Sequence, residues 1–134
     1  MMPSPRDEGR RWIDEAAAEL KATEYLQRGS FFNLACFHAQ QAAEKAVKGF
    51  LRARGVEDPW GHSVGNLLAD AGTYDATISP LQPLGASLDK FYIPTRYPNG
   101  LPGGIPSNAY TDREARDAFD MAKQVVDEMR RRVV

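Results

Sequence analysis

The sequence predicts an all-α fold, an antiparallel up-and-down bundle of four to five helices. Three observations lead to this prediction. Apolar residues recur at spacings of three and four over long segments, which is the period of a helix with one buried face. Valine and isoleucine are scattered and do not alternate with polar residues as they would in half-buried strands. Most segments between the periodic runs are short, which favours antiparallel neighbours. With 134 residues, the chain is expected to form one domain over residues 1–134.

The first two predicted helices are the most regular. The first runs from about residue 8 to 27 and should end at Gly29, because glycine adopts the left-handed conformation that often follows a helix. The second is expected to begin after Ser30 as its N-cap and to extend to about Ala53. Its buried face is predicted to comprise these small and apolar residues: Phe32, Cys36, Ala39, Ala43, Ala46, Val47 and Phe50.

Shorter helices are predicted in the second half of the chain. Ser63 is a plausible N-cap, and Ser79-Pro80 is a start signal because proline fits the first helical turn. Residues 94–110 are rich in proline and glycine and are expected to form a long irregular loop. Thr111 and Glu114 then have the spacing of a capping box at the start of the last helix. The run Arg130-Arg131-Arg132 is interpreted as its solvated C-terminal end.

Composition limits the classes of function. The chain has 17 basic and 18 acidic residues and a net charge of −1, so any nucleotide site must be a local patch rather than a basic surface. Cys36 is the only cysteine and is interpreted as a small buried residue. One cysteine and two histidines do not make a zinc finger, so no metal or cofactor is expected. Apolar runs long enough for a signal peptide or a membrane span are missing, and a cytoplasmic location is expected.

The second predicted helix carries the most specific pattern in the chain. It reads Phe37-His38-Ala39-Gln40-Gln41-Ala42-Ala43-Glu44-Lys45-Ala46-Val47-Lys48. Two later segments belong with it: His62-Ser63-Val64, and Phe91-Tyr92 followed by Thr95-Arg96-Tyr97-Pro98. Together with the alanine-rich last helix, these residues resemble the HEPN domain family, with its "aQQAaEKalKa" signature and its "RYP" element. The resemblance covers nearly the whole chain, from about Arg10 to Arg131.

The resemblance implies a nucleotide-related helical bundle that is commonly a homodimer. It also implies a partner protein, a small nucleotidyltransferase, with which the chain would form a two-component, toxin–antitoxin-like module. Some branches of the family are ribonucleases that carry an Arg, four to six intervening residues and then a His. Here seven residues (55–61) separate Arg54 from His62, and nine (29–37) separate Arg28 from His38. The nuclease activity of those branches is therefore not carried over.

Three candidate ligand-binding residues follow from the later segments. A guanidinium such as that of Arg96 suits phosphate through paired hydrogen bonds, and the ring of Tyr97 offers a stacking face for a base. Alternatively, Arg96 pairs with a carboxylate and Tyr97 closes one end of the core. His62 has the chemistry to transfer a proton or to contact a ligand. Its alternative role is a local hydrogen bond that fixes the loop.

Three further candidates lie on the second helix. Gln41, Lys45 and Lys48 follow one another at spacings of four and three and therefore share one side of the helix, together with His38. The lysines could bind phosphate as point charges, or the set could be a solvated face or a polar seam between helices. Trp12 and Trp60 are interpreted as aromatics that pack in the core and under a loop.

Three hypotheses remain open. The leading one is a non-enzymatic module that offers a nucleotide or a partner protein one polar groove, lined by His62, Arg96, Tyr97 and the polar groups of the second helix. The second is a metal-independent ribonuclease that uses His62 and Arg96, brought close by folding, for proton transfer and charge stabilisation. The third is a protein whose only function is to bind a nucleotidyltransferase.

Overall fold

A computed structural model describes residues 3–133, and in that range every regular element is helical. Five helices have eight or more residues: α1 (Pro5–Arg28), α2 (Phe32–Ala53), α3 (Val64–Gly72), α4 (Gln82–Asp89) and α6 (Asp112–Arg132). A single turn, α5 (Pro106–Ala109), and two 3-10 segments, Ala76–Leu81 and Pro98–Gly100, lie in the connections. The predicted all-α bundle of four to five main helices is confirmed.

Helices α1 and α2 form an antiparallel hairpin, and two glycines set how closely they approach. A Cβ atom added at Gly9 would lie 2.5 Å from the carbonyl oxygen of Gly49, and one added at Gly49 would lie 2.8 Å from that of Gly9. Any side chain at either position would therefore push the two backbones apart. The crossing brings the polar side of α2 within reach of α1.

Helix α6 runs antiparallel to α1, because its start contacts the end of α1 and its end contacts the first half of α1. The side chain of Gln27 donates to Asp112, and Arg130 lies 3.4 Å from Asp14. The core between α1, α2 and α6 is rich in fully buried small residues, with a few larger side chains between them: Ala39, Ala43, Ala46, Ala115, Ala118, Ala122, Phe50, Val125 and Met129. Small residues let the helices pack at close range.

In the turn between α1 and α2, the residue with the left-handed conformation is not the one that was predicted. Gly29 has a φ of −81°, whereas Ser30 has a φ of +67° and provides no N-cap. The amide of Phe31 donates to Leu26 O and that of Ser30 to Gln27 O, the pair of bonds that defines a Schellman motif. In that motif the left-handed residue lies one position beyond the C-cap, so Ser30 takes it and Phe31 becomes the N-cap of α2.

The predicted helix starts at Ser63 and Thr111, each with a side-chain cap, are confirmed. Ser63 accepts from the amide of Asn66, and Thr111 and Glu114 form the reciprocal capping box. The start predicted at Ser79-Pro80 is wrong, because a 3-10 segment runs through Pro80 and α4 begins at Gln82. The loop predicted over residues 94–110 contains the single turn α5, since Pro106 fits a first helical turn.

Burial settles three of the other interpretations. Cys36 is fully buried, as predicted, and burial raises the pKa of its thiol to about 12. Trp60 does not pack under a loop, because 88% of its surface is exposed. The arginine run is not wholly solvated either: the side chain of Arg132 is 11% exposed and pairs with Asp75 and Glu128, which fastens the end of α6 to the 3-10 segment before α4.

Candidate functional site

The polar side chains of α2 pair with two different carboxylates, the half-buried Glu19 and the buried Glu44. Glu19 of α1 accepts from Lys45 at 2.5 Å and contacts His38 Nδ1 at 2.8 Å. Burial alone would raise the pKa of Glu19, but the hydrogen bonds from His38 and Lys45 outweigh it and hold that pKa below 4.5. Lys45 therefore points to α1 and does not reach the region of His62.

Glu44 is the second of these carboxylates and belongs to α2 itself. It is 6% exposed, and the same oxygen lies 3.2 Å from Lys48 Nζ and 3.3 Å from His62 Nδ1. Gln41 donates to the other oxygen at 3.3 Å. Each residue of an α-helix is rotated by about 100°, so Lys45 and Lys48 diverge by about 60° on the helix surface, enough to serve different neighbours. Lys48, Gln41 and His62 thus converge on Glu44.

The backbone around His62 is held by two residues that sequence reasoning missed. Gln40 is fully buried and donates to His62 O at 2.7 Å. Asp89, the last residue of α4, accepts from Ser63 Oγ at 2.7 Å and from the amides of Val64 and Gly65 at 2.7 and 3.0 Å. A carboxylate at the amides of a first helical turn stabilises that end of the helix. Gln40 lies in the α2 pattern, but the sequence gives no signal for Asp89.

Tyr92 joins His62 to Arg96. The rings of His62 and Tyr92 are stacked, with centroids 5.1 Å apart and an interplanar angle of 17°. The guanidinium carbon of Arg96 lies 4.7 Å from the centroid of Tyr92 and 4.4 Å from that of Phe37, and Arg96 Nε donates to Tyr92 O at 2.9 Å. Sequence analysis noted Tyr92 only as part of a pattern and did not identify it as a site residue.

The loop that carries Arg96 is anchored to the start of α2. Thr95 is fully buried and its carbonyl accepts from Asn33 Nδ2 at 3.0 Å. Tyr97 follows with half of its surface exposed, and its ring lies 5.1 Å from the Arg96 guanidinium carbon. Across residues 3–133 no carboxylate lies within ion-pair distance of Arg96, and its terminal nitrogens donate to no described atom. The predicted alternative, an ion pair with a bundle carboxylate, is therefore wrong.

A groove opens on the other side of His62. Its volume is about 730 Å³, and it is lined by residues 58–63 together with Lys48, Asn66, Ala69 and Asp70. Arg96, Tyr97, Gln41 and Lys45 are not among the lining residues. The single groove expected for all six candidates is thus wrong: folding produces an arginine–aromatic cluster (Phe37, Tyr92, Arg96, Tyr97) and a separate groove, and His62 borders both.

A comparison with family models decides what kind of domain this is. The model for the HEPN domain matches residues 10–132, almost the whole chain. The chain belongs to the HEPN family. A comparison with curated proteins gave no match.

Solved structures agree with the HEPN assignment. TT1696 from Thermus thermophilus is 38% identical, with a TM-score of 0.87 over 92% of this chain and 97% of that one. ST0689, an archaeal HEPN homologue, is 33% identical with a TM-score of 0.76 over 99% and 100% of the two chains. The HEPN domain protein tm0613 from Thermotoga maritima is 30% identical with a TM-score of 0.71 over 90% and 94%.

The described part of this HEPN chain holds no candidate metal-binding cluster and no candidate membrane-spanning helix. Within residues 3–133, histidine, cysteine, aspartate and glutamate side chains form no group of three or more that could hold a metal ion. No helix in that range is long and apolar enough to cross a membrane.

Proposed function

We propose that this HEPN chain is a nucleotide-binding module whose phosphate-binding group is Arg96. The observation that carries the proposal is that Arg96 is held in place by aromatic rings while no described carboxylate pairs with it. Most arginines of this chain, such as Arg116 with Asp112, contact an acidic partner. An ordered guanidinium without such a partner is suited to an anionic ligand.

The neighbours of Arg96 suit the remaining parts of a nucleotide. The half-exposed ring of Tyr97 offers a face on which a base can stack, which is worth about 1–3 kcal/mol per base. His62 uses Nδ1 toward Glu44, so Nε2 is left for a ligand: it accepts from a ribose hydroxyl when the ring is neutral and donates to a phosphate oxygen when the ring is protonated. The ring of Tyr92 keeps both groups on one surface.

The proposal assigns different roles to the helix-two candidates. The charge of Lys45 is balanced by Glu19 and that of Lys48 by Glu44, so neither lysine is available as an unpaired cation for phosphate. Gln41 likewise donates to Gln40 and Glu44. We propose that Gln41, Lys45 and Lys48 support the site by fixing Glu44 and the α1–α2 crossing, while ligand contact falls to His62, Arg96 and Tyr97.

Calorimetric titration with each of the four nucleoside triphosphates tests this function. Arg96→Gln should weaken binding by about tenfold or more, the value of one charge-assisted phosphate contact. Arg54→Gln is a matched control, because Arg54 also lies over aromatic rings and donates to a carbonyl, that of Tyr74. Equal loss in both variants, or no heat with the unmodified protein at millimolar nucleotide, would exclude Arg96 as a phosphate site.

Homodimer formation and a nucleotidyltransferase partner are also part of the proposed function, as one half of a toxin–antitoxin-like pair. The family supports the partner, and the exposed apolar side chains of this chain support a contact surface: Tyr25, Phe31, Leu34, Ile93, Tyr97 and Ile105. Light scattering after size-exclusion chromatography measures the dimer. Co-purification with a nucleotidyltransferase encoded next to this chain tests the pair, and a monomer that binds no such protein contradicts both.

A second candidate function is metal-independent RNA cleavage by His62 and Arg96. The observation in its favour is that the two side chains meet on Tyr92 although the family's Arg-to-His spacing is absent. His62 Nε2 would accept the proton of a ribose 2′-hydroxyl as that oxygen attacks phosphorus, with Arg96 stabilising the phosphorane charge. The bond from phosphorus to the 5′-oxygen would break, the departing oxygen would take a proton from water, and the products would be a 2′,3′-cyclic phosphate and a 5′-hydroxyl end. Cleavage that persists in EDTA and disappears in His62→Ala would establish it, whereas binding without cleavage leaves the module non-enzymatic.

A further inference from the structure

Trp60 lies on the surface, in the loop before α3. It is 88% exposed, while Pro59 before it is buried and Gly61 after it has a φ of +100°, which favours glycine. A buried residue on one side and a left-handed residue on the other set the course of the backbone at Trp60, which leaves the indole exposed. Tryptophan is the residue most enriched at the energetic centres of protein interfaces. An exposed tryptophan held in this way indicates a contact surface.

The groove of about 730 Å³ lies beside Trp60. One wall is the loop of residues 58–63, and the other is formed by Asn66, Ala69 and Asp70 of α3. A second hollow of about 220 Å³ shares Asp58, Pro59, Trp60 and Asp70 with it. Trp60 therefore borders two adjoining depressions.

The charge of this surface is acidic. The side chain of Asp58 is 94% exposed, and Asp70 is also exposed. The lysine that lines the groove, Lys48, is 3.2 Å from Glu44 and is neutralised by it. Arg52 reaches Asp58 only at 4.0 Å, because its guanidinium lies over Trp12, 4.5 Å from the ring centroid. With Lys48 balanced by Glu44, Asp70 and the weakly paired Asp58 give this groove an acidic character, and such a groove beside an exposed indole attracts cations.

We propose that this groove is the docking site for an arginine-bearing segment of a partner protein. An arginine side chain would stack on the face of Trp60, since tryptophan gives the strongest cation–π contact, and its fork would meet the carboxylates of Asp58 and Asp70. Arginine is favoured over lysine because its planar group stacks and pairs at the same time. The site selects a charge opposite to that bound at Arg96 and does not depend on nucleotide binding.

Trp60 fluorescence in a Trp12→Phe variant tests the proposal directly, because Trp60 is then the only tryptophan. The probe is the capped peptide Gly-Ser-Arg-Gly-Arg-Ser-Gly, and its control has citrulline at both arginine positions, which keeps the shape and removes the charge. The arginine peptide should change the emission saturably and bind about tenfold more tightly than the citrulline peptide. Calorimetry with the unmodified protein repeats the comparison without any change at Trp12.

Charge variants locate the contact. Asp58→Asn with Asp70→Asn should weaken the arginine peptide about tenfold, whereas Asp120→Asn with Asp127→Asn, the same charge change on α6, should leave it unchanged. Arg96→Gln should also leave it unchanged. Equal binding of the two peptides, absence of saturable binding at millimolar peptide, or tighter binding of a single-stranded oligonucleotide at Trp60 would each overturn the proposal.

Discussion

His62 and Arg96 contact the same aromatic ring, that of Tyr92, one by stacking at 5.1 Å and the other through its guanidinium at 4.7 Å. They reach it from different elements, because His62 precedes α3 and Arg96 follows α4. Asp89 at the end of α4 links the two elements, because its carboxylate accepts from Ser63 Oγ and from the amide of Val64 at the start of α3. The ring thus fixes the separation of an imidazole and a guanidinium that no local sequence spacing controls.

Replacing Tyr92 should therefore disturb both groups at once. In Tyr92→Leu, we expect nucleotide affinity to fall about tenfold, since Arg96 loses a stacking surface and His62 its ring partner. Tyr74→Leu is the control, because Tyr74 lies in the same way under Arg54. Calorimetry measures the affinities, and thermal unfolding shows whether both variants fold. Unchanged affinity in a folded Tyr92→Leu would show that the ring does not organise the site.

Glu44 should be more important for stability than a surface glutamate. Glu44→Gln leaves Lys48, whose side chain is 12% exposed, without its ion-pair partner, and we expect a loss of about 3 kcal/mol in the free energy of unfolding. Glu24→Gln removes an exposed pair with Arg28 and should cost about 0.5 kcal/mol or less. Urea denaturation measures both.

The double variant Glu44→Gln with Lys48→Met tests whether that loss comes from the unbalanced charge of Lys48 or from lost packing. Removal of the lysine charge should restore much of the stability, because the penalty comes from an unbalanced buried cation rather than from lost packing. If the double variant were as unstable as Glu44→Gln alone, the ion-pair account would be incorrect.

Features that depend on neighbouring residues in sequence were predictable. The Ser63 cap, the Thr111–Glu114 capping box and the buried face of α2 each follow from residues within one or two helical turns. The family signature in α2 also predicted the fold correctly, because Gln40 and the alanines of the signature occupy buried positions in the bundle.

Features that depend on tertiary neighbours were not predictable. Gln41, Lys45 and Lys48 share one side of α2, but Glu19 from α1 draws Lys45 away from the other two. Neither the position of Glu19 nor that of Asp89 is visible in a helical period, since both act across elements. Trp60 was expected to pack under its loop, whereas the structure buries Pro59 before it, gives Gly61 after it a φ of +100° and leaves the indole exposed.

The ion pairs of Glu19 make the free energy of unfolding depend on pH in the acidic range. Because hydrogen bonds from His38 and Lys45 depress the pKa of Glu19 in the folded chain, they contribute stability that is present above the ordinary value of 4.5 and is lost as the pH falls through the lowered folded value. Glu19→Gln should flatten this part of the profile of unfolding free energy against pH, whereas Glu15→Gln at an exposed position of α1 should not. Parallel profiles for the two variants would contradict the assignment.

The glycine contact between α1 and α2 should tolerate no methyl group. Gly49→Ala would place a Cβ 2.8 Å from both Gly9 O and Ile13 Cγ1, and we expect a loss of about 2 kcal/mol as the hairpin opens. Gly103→Ala has no atom within 4 Å of the added Cβ and should be close to neutral. Thermal denaturation compares the two, and a neutral Gly49→Ala would mean that the helices cross less closely than described.

The last prediction concerns Asp89, whose carboxylate holds the start of α3 and, through Ser63, the loop on which His62 lies. Asp89→Asn removes the charge that accepts from the amides of Val64 and Gly65, and we expect a loss of about 1–2 kcal/mol in unfolding free energy. Because the loop from Trp60 to Ser63 depends on this cap, hydrogen exchange of the amides of residues 64–66 should accelerate more than that of α6. Asp70→Asn, at an exposed position of the same helix α3, controls for the charge change. Uniform acceleration over the whole chain would show that Asp89 stabilises the bundle as a whole rather than the His62 loop, and the proposed positioning of His62 would then have to rest on Gln40 and Glu44 alone.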